Sequence, residues 1–284
     1  MQRRPVLAID IGGTKTLSAL VEGGRVLERR RVETARHEGP QAWLDAVVAS
    51  AGDWRGRFDV AGVAVSGRIA AGRWSALNPA VLPVPGNFPL VDALTEHLGV
   101  PVTAVNDAQA AAWGEYRHGA GQGADMIFLT VSTGVGGGLV LGGRLVLGRN
   151  GLAGHVGQML TDLLAGERRL EDVAAGSALA RLAAESGRWP DPPALLAAAG
   201  NGDSAAEAAI GGAVVPLVRA ARSLQMLIDP DCFVIGGGLG LAEGFVGRLR
   251  KEAAVLPPDY RPDFRAAALG AEAGLIGIAD LVEP

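Results

Sequence analysis

Short apolar runs separated by glycine-rich turns open the chain. Residues 6–9 form the first run, and segments 16–21 and 25–31 follow it after turns at residues 10–15 and 23–24. Segments of this length bounded by glycine predict β-strands, and three in succession predict a meander. Similar runs predict strands at residues 60–65, 102–105, 126–131, 139–141, 144–147, 232–235 and 264–268.

Apolar residues spaced three and four positions apart predict helices between these strands. The predicted helices cover residues 41–51, 90–98, 108–116, 172–185, 191–199, 204–228 and 242–254, with a final helix at about 271–284. Because strands and helices alternate, the predicted fold class is α/β.

The opening pattern occurs a second time further along the chain. A shift of 119 residues places Thr14 on Thr133 and the segment 23–25 on 142–144, Gly-Gly-Arg in both. The match is short and rich in glycine, so chance similarity of composition is the alternative. We expect a duplicated architecture with a small lobe over residues 1–106, a large lobe over 107–270, a C-terminal helix packed back on the small lobe, and a cleft between the lobes.

Composition narrows the class of protein. Glycine accounts for 42 of 284 residues, without the period of collagen. The single cysteine, Cys232, excludes a disulfide framework and a cysteine-based zinc site, and a net charge of −4 gives no basic surface for nucleic acid. The first apolar run ends at Asp10, and the longest, near 208–221, contains Pro216 and is shorter than the ~20 residues that span a bilayer. We therefore expect a soluble, cytoplasmic protein without membrane or nucleic-acid partners.

The first candidate site is the turn at residues 10–15. Gly12 and Gly13 allow backbone N–H groups to approach a phosphate, and Thr14 and Lys15 add a hydroxyl and a cation. Asp10 is a carboxylate suited to Mg²⁺ or its waters. The alternative is an ordinary β-hairpin with a polar turn.

Two further glycine segments follow predicted strands. Residues 132–138 include Thr133 and Gly134 and are predicted to form either a second phosphate-binding turn or a flexible hairpin. Gly236 and Gly237 follow the strand at 232–235, where a flat ligand such as adenine could approach, or where the chain merely turns into a helix.

Asn106 and Asp107 lie between a predicted strand and a predicted helix. Both residue types are common N-caps, which is one explanation. The functional alternative is that Asp107 accepts a proton from a substrate hydroxyl.

Taken together, these motifs resemble a known family over essentially the whole chain. The motifs are DIGGTK (10–15), ALNP (76–79), NDAQAAAW (106–113), VSTGVGGG (131–138), GLAGHVG (151–157), VIGGG (234–238) and GLAEG (240–244). They resemble the ROK family of sugar kinases and, within it, the bacterial N-acetylmannosamine kinases. The resemblance implies a duplicated actin/hexokinase-like (ribonuclease H-like) ATPase fold.

The resemblance also implies roles for individual residues. Asp107 would be the general base that takes the proton from the sugar 6-hydroxyl, with Mg²⁺ near Asp10. The implied ATP-binding and phosphate-binding residues are Asp10, Gly12, Gly13, Thr14, Lys15, Thr133, Gly134, Gly236 and Gly237. The implied sugar-binding residues are Gly67, Asn78, Asn106, Asp107, His155, Gln158 and Glu171. For Gly67 and Asn78, a role as ordinary turn residues is the alternative.

The chain departs from the family pattern after the fourth motif. Many ROK kinases have Glu-x-Gly-His followed by a cysteine-rich zinc loop, whereas this chain has His155, Gln158, a shorter run without cysteine, and then Glu171. A Gln amide is a poor zinc ligand, so we expect no structural zinc. His155 matches the N-acetylmannosamine kinases, although it could be a solvent-facing loop residue. Glu171 could contact the sugar or only stabilise the first turn of the following helix.

The resemblance thus implies a kinase that uses ATP and Mg²⁺ to phosphorylate N-acetylmannosamine at its 6-hydroxyl. The alternatives are a ROK glucokinase or N-acetylglucosamine kinase, and a non-catalytic sugar-sensing protein of the same fold. A homodimer is expected from the family resemblance alone.

Overall fold

Strands and helices alternate along the chain, as the apolar pattern predicts. The computed structural model describes residues 4–79, 82–162 and 166–283. The strands are β1 (Val6–Ile11), β2 (Lys15–Glu22), β3 (Arg25–Glu33), β4 (Ala61–Val65), β5 (Arg68–Ala70), β6 (Arg73–Ser75), β7 (Val102–Asn106), β8 (Met126–Val131), β9 (Val135–Leu141), β10 (Arg144–Val146), β11 (Leu160–Asp162), β12 (Arg168–Arg169), β13 (Cys232–Gly236) and β14 (Phe264–Ala266). The helices are α1 (Pro40–Ser50), α2 (Leu90–Leu98), α3 (Asp107–His118), α4 (Leu170–Ala174), α5 (Gly176–Ser186), α6 (Pro192–Gly200), α7 (Ser204–Ile228), α8 (Phe245–Ala253) and α9 (Ala273–Val282).

These elements divide between two compact units. The first contains the residues up to His118, Leu145–Ala153 and the residues from Ala271 onward, and the second contains Gly119–Arg144 and Gly154–Gly270. Helix α3 falls in the first unit, whereas the sequence pattern put the lobe boundary at residue 106.

Each unit is built around a five-stranded sheet of the same topology. The strand orders are β3-β2-β1-β4-β7 and β10-β9-β8-β13-β14. In the first sheet β1 pairs antiparallel with β2 and parallel with β4, and in the second β8 pairs antiparallel with β9 and parallel with β13. This repeat confirms the predicted duplicated α/β class.

The sheet of the first unit is covered by helices on both faces. In β1, Leu7 and Ile9 belong to a core formed with α1 and α2, while Val6 and Ala8 belong to a core formed with α3 and α9. Alternate residues of a strand point to opposite faces, so the short apolar run of β1 supplies both cores.

The predicted helix at 172–185 was wrong in one respect, because it is two helices. Ala175 is extended (φ −76°, ψ 159°) and separates α4 from α5. The break lets the N–H groups of Gly176 and Ser177 donate to the carbonyls of Ser132 and Thr133 at 2.7 and 3.2 Å. Periodicity cannot reveal such a break, because it serves a contact more than 40 residues away in the sequence.

The glycine-rich turn predicted within residues 132–138 was also too long. Strand β9 begins at Val135, and the three glycines after it pair with β8. A side-chain carbon on Gly137 would lie 2.5 Å from Val156 Cγ2 and 2.9 Å from the Gly154 carbonyl oxygen. These strand glycines therefore admit the segment around residue 155 close to the sheet, which is a packing reason rather than a turn.

Smaller differences concern short elements. The hairpins β5–β6 and β11–β12 were not predicted, because strands of two or three residues leave too little pattern. The helix expected from residue 242 begins at Phe245, after Gly244 in a left-handed conformation (φ 75°).

Helix α7 extends on both sides of the apolar run near 208–221 on which the membrane argument was based. It has 25 residues, and among the described helices it alone is long and apolar enough to cross a bilayer, with a mean hydropathy of 1.2 over 18 residues. Residues such as Ile210 and Leu217 are buried in the second unit, where α7 packs against α4, α6 and α8. This packing is typical of a core helix.

Candidate active site

A hydrogen bond from Thr34 holds the backbone of the turn between β1 and β2. The N–H of Gly12 donates to the Lys15 carbonyl at 3.1 Å, and the Thr34 hydroxyl donates to the Gly12 carbonyl at 2.9 Å. Gly13 is partly exposed, and the side chains of Thr14 and Lys15 are exposed. The turn therefore presents a hydroxyl and an ammonium group to solvent from an anchored backbone.

Asp10 lies just before this turn, near the end of β1. Burial, and next the nearby Asp107 carboxylate, raise the pKa of Asp10 from 3.8 to about 7, while Lys15 acts in the lowering direction. The two aspartates thus form a locus of excess negative charge, which favours a bound cation or proton.

Asn106 ends β7 and caps the helix that begins at the next residue. Its Oδ1 accepts from the N–H groups of Ala108 and Gln109 at 2.9 and 3.2 Å, and its Nδ2 donates to the carbonyls of Gly67 and Val65 at 2.9 and 3.4 Å. An Asn side chain has two donor and two acceptor positions, so all are used here. A sugar hydroxyl would have to replace one of these bonds.

Asp107 is the first residue of α3 and is partly exposed. Its Oδ1 accepts from the N–H of Ala108 at 2.8 Å. A side-chain carbon at Gly274, in the first turn of α9, would lie 3.8 Å from Asp10 Oδ2 and 3.8 Å from the Asp107 carbonyl oxygen. Both aspartates therefore lie beside the beginning of α9.

A buried glutamine, Gln109, links α3 to the segment 151–153. Gln109 is 1% exposed. Its Nε2 donates to the carbonyls of Ala153 and Gly151 at 2.9 and 3.4 Å, and its Oε1 accepts from the Asn106 N–H at 3.3 Å. A side-chain carbon on Gly151 would lie only 1.8 Å from the Ile69 carbonyl oxygen, so this segment is held from both sides.

Gly67 has a clear structural role, and Asn78 makes a backbone hydrogen bond. Gly67 has φ 116°, and a side-chain carbon there would lie 2.6 Å from the Ser75 carbonyl oxygen. Only glycine fits this position without strain. Asn78 is partly exposed, and its carbonyl accepts from the Leu82 N–H at 3.3 Å.

In the second unit, the loop between β8 and β9 is anchored by the start of α5. The carbonyls of Ser132 and Thr133 accept from α5, as described above, and the Ser132 N–H donates to the Gly134 carbonyl at 2.9 Å. The Thr133 side chain is exposed. Like Thr14 in the first unit, it offers a hydroxyl from a fixed turn.

A cavity of about 1230 Å³ adjoins this loop within the second unit. Its walls include Thr133, Ser177, Pro193, Leu196, Gly238 and Leu239. The wall thus combines hydroxyl and apolar side chains, which suits a ligand with both a polar and a flat apolar part.

Gly236 and Gly237 lie beside this cavity wall rather than in it, because Gly238 and Leu239 are the residues after β13 that line it. A side-chain carbon on Gly236 would lie 2.6 Å from the Phe128 ring, and one on Gly237 (φ 82°) would lie 2.4 Å from the Val131 carbonyl oxygen. Both glycines permit tight packing at the end of the strand.

The remaining predicted sugar residues meet in the second unit. Gln158 Nε2 donates to Glu171 Oε1 at 2.9 Å, and the Gln158 N–H donates to the His155 carbonyl at 3.0 Å. The Nε2 atom of His155 is buried. A side-chain carbon on Gly134 would lie 3.2 Å from Glu171 Oε2, so the predicted phosphate loop and sugar residues are neighbours.

Asp10 and Asp107 suit a magnesium ion, which needs few protein ligands, better than a metal whose ligands all come from the protein. Among the described residues no group of three or more His, Cys, Asp and Glu side chains could hold a metal. Mg²⁺ needs only one or two carboxylates when phosphates and waters complete its shell. Asp10 and Asp107 can supply these carboxylates. Cys232, the one cysteine, is buried in β13.

Three residues of these arrangements were missed at the sequence level. Gln109 stands inside a recognised motif but looked like any helical residue, and Gly274 looked like an ordinary helix glycine. Arg169, considered below, precedes Asp172 by three positions, which is the one local signal that it could form a helix-start contact.

The repeated sheet defines the class of protein, and solved structures match it. A ROK hexokinase from Thermus thermophilus is 33% identical with a TM-score of 0.80, and the alignment covers 96% of each chain. A ROK family glucokinase from Streptomyces griseus, in complex with glucose and AMPPNP, is 32% identical with a TM-score of 0.82 and 98% coverage of each chain. The chain has the actin/hexokinase-like fold.

The family profile agrees over almost the whole sequence. The ROK family matches residues 6–284, and the chain belongs to this family. It is 48% identical over 277 residues to the bifunctional enzyme NanE/NanK of Brucella melitensis, and 39% identical over 284 residues to N-acetylmannosamine kinase of Shigella boydii. The chain spans 54% of the Brucella protein and 98% of the Shigella protein.

Proposed function

We propose that the protein transfers the γ-phosphoryl group of ATP to the 6-hydroxyl of N-acetylmannosamine, giving N-acetylmannosamine 6-phosphate and ADP. The single observation that carries the chemistry is the pair Asp10 and Asp107, two carboxylates close enough for one to raise the pKa of the other. The choice of sugar is supported by the relative of that name, which matches along its whole length.

Asp107 is proposed as the general base. As the sugar O6 forms its bond to the γ-phosphorus, the proton of that hydroxyl passes to an Asp107 carboxylate oxygen. The bond from the γ-phosphorus to the bridging oxygen breaks, and ADP leaves. Such a base typically contributes about 10²–10⁴-fold to the rate.

The residues around Asp107 serve to hold it. Asn106 caps the helix on which Asp107 lies, and its bonds with the Val65 and Gly67 carbonyls hold that helix start against the end of β4. Asp107 therefore enters the reaction from a rigid element. We propose that Asn106 mainly holds the start of α3 in place. It could contact the sugar only if a sugar hydroxyl replaced one of its four hydrogen bonds.

Charge neutralisation is proposed for the first phosphate turn. Asp10 would hold Mg²⁺, which neutralises phosphate charge when bound, and the exposed Thr14 and Lys15 would contact phosphate oxygens directly. The N–H groups of Gly12 and Gly13 belong to the same turn. Phosphoryl transfer depends mainly on such positioning and charge stabilisation.

The second unit is proposed to bind the nucleotide and part of the sugar. Thr133 and Gly134 would contact phosphates, and the apolar wall of the cavity would take the adenosine, with Gly236 and Gly237 shaping the strand end behind it. His155, Gln158 and Glu171 would contact sugar hydroxyls.

Glucose is the second candidate acceptor, because the Streptomyces griseus neighbour was solved with glucose bound. His155 is the residue that we expect to discriminate between the two sugars.

We also propose that the protein is a homodimer and acts in the cytoplasm, where ATP is available.

The test compares ADP release with N-acetylmannosamine, N-acetylglucosamine and glucose. Asp107→Asn should reduce kcat by about 10²–10⁴-fold. Asp92→Asn, on the exposed side of α2, makes the same chemical change away from the site and serves as the control. Sugar binding without turnover of any of the three would refute the kinase proposal in favour of a sugar sensor. Equal turnover of glucose would refute the sugar assignment alone.

A further inference from the structure

Arg169 lies at the centre of a polar cluster in the second unit. Its guanidinium bonds Asp172 in a bidentate manner, with Nη2–Oδ1 at 2.8 Å and Nε–Oδ2 at 3.1 Å. On its other side, Nη1 lies 3.2 Å from Glu171 Oε1 and 3.4 Å from Gln158 Oε1. One planar group therefore contacts three side chains at once.

Asp172 fixes the direction of this guanidinium. The same carboxylate also accepts from the Arg169 backbone N–H at 2.9 Å, so it closes the first turn of α4. The hydrogen bond with Asp172 raises the pKa of Arg169, and its partner bond lowers the pKa of Asp172. Both groups are therefore charged near neutral pH, and a bidentate pair restricts rotation of the fork.

The orientation of the Gln158 amide follows from this arrangement. A guanidinium can only donate and a carboxylate can only accept. The amide oxygen of Gln158 must therefore face Arg169, and its NH₂ group must face Glu171. One amide hydrogen and one oxygen lone pair remain for a ligand, in fixed directions.

Glu171 is oriented by the same contacts. Its Oε1 receives Gln158 and the ion pair with Arg169, which leaves Oε2 on the side of Gly134. The Glu171 side chain is only 14% exposed, so an unpaired charge there would be unfavourable. Arg169 compensates that charge without covering the second oxygen.

We infer that Arg169 is a positioning residue for the sugar acceptor: it fixes the directions in which Gln158 and Glu171 present their hydrogen-bonding atoms. The inference rests on the proposed function, since it assigns the purpose of two proposed sugar residues. Arg169 itself need not touch the sugar.

The test measures sugar affinity apart from turnover. Titration calorimetry with N-acetylmannosamine gives Kd without ATP, and steady-state kinetics gives KM for sugar and for ATP. Arg169→Met should raise the sugar Kd and the sugar KM by about 10-fold or more, while KM for ATP changes less than about twofold. Lost folding alone would instead lower kcat through a smaller active fraction and leave the sugar Kd unchanged.

Arg169→Lys separates shape from charge. Lysine keeps the positive charge but cannot span Asp172, Glu171 and Gln158 together, so it should also weaken sugar binding by about 10-fold. If circular dichroism shows that the Met variant is unfolded, the Lys variant carries the test. Full recovery of sugar affinity by Lys would overturn the inference.

Arg168→Met is the matched control. Arg168 is the exposed neighbour, and its hydrogen bonds with Gly166 and Thr161 use its backbone atoms. This variant should keep the wild-type sugar Kd. An unchanged Kd in folded Arg169→Met would refute the role of Arg169, whereas a wild-type protein that neither binds nor phosphorylates any of the three sugars would refute the proposed function itself.

Discussion

Asp10 shows how one buried carboxylate couples charge to stability. Its folded pKa of about 7 is above its unfolded value of 3.8. The native state therefore holds the proton more tightly, and the stability from Asp10 is fully present below pH 3.8 and lost as pH rises through about 7. Most native carboxylates with shifted pKa values here, such as Asp172 and Glu207, act in the opposite direction.

We predict that Asp10→Asn reduces the loss of stability between about pH 4 and pH 7, because the variant has no carboxylate to ionise there. The measurement is the free energy of unfolding by urea at pH 5 and pH 8, without divalent metal, for wild type and variant. The wild-type minus variant difference should decrease at the higher pH. A difference that stays constant between pH 5 and pH 8 would show that folding does not raise the pKa of Asp10.

A second prediction at this scale concerns Gln109. Gln109→Ala leaves the buried carbonyls of Ala153 and Gly151 and the Asn106 N–H without the bonds that they have now. The free energy of unfolding should fall by roughly 1–3 kcal/mol. The control, Gln41→Ala on the exposed side of α1, should change it by less than about 0.5 kcal/mol. Equal effects in the two variants would contradict the bonding role.

At the scale of elements, glycine sets the distance between α3 and α9. A side-chain carbon on Gly277 would lie 1.8 Å from the Ala110 carbonyl oxygen and 2.7 Å from the Gly114 nitrogen. A carbon on Gly114 would lie 2.5 Å from the Ala273 carbonyl oxygen. The two helices are thus packed backbone to backbone, directly behind Asp10 and Asp107.

We predict that Gly277→Ala separates these helices. Unfolding in urea should show a loss of about 1–3 kcal/mol or more, and kcat should fall because α9 begins beside both aspartates. Gly211→Ala is the control, since Gly211 lies within α7 and, apart from its chain neighbours and the nearby backbone of its own helix, nothing lies within 4 Å of the added carbon. That variant should gain up to about 1 kcal/mol from helix propensity. If Gly211→Ala lost stability and Gly277→Ala did not, the proposed role of Gly277 in the contact between α3 and α9 would be contradicted.

Elements with strong local signals were predictable, and those that depend on distant contacts were not. Strand β8 and helices α2 and α7 have the predicted bounds because their periodicity and end signals are local. The break at Ala175 and the strand glycines of β9 depend on contacts with residues distant in the sequence, namely the 132–133 loop and the segment 154–156. The same division applies to the site: motif residues could be named in advance, but the bonds of Arg169 and Gln109 required the folded structure.

At the scale of the whole molecule, ligand binding should affect the units differently. The cavity that we propose for the nucleotide is lined by residues of the second unit. We predict that AMPPNP slows hydrogen exchange in the first turn of α5 and in α6, whose residues line that cavity, with little change in α1 and α2. Mass spectrometry of peptides measures this, with sugar alone as a second arm. Protection confined to the first unit would contradict the assignment of the cavity.

The place of α9 also bears on the order of folding during synthesis. Leu275 and Ile278 belong to the core that lies on one face of β1, yet more than 150 residues separate α9 from the end of α3. At about 5–20 residues per second, the ribosome needs on the order of ten seconds or more to bridge that gap. During this time the first unit lacks the part of its core that α9 supplies, while most of the second unit is being synthesised. The unit translated first is therefore completed last, and a chaperone has a defined interval in which to bind it.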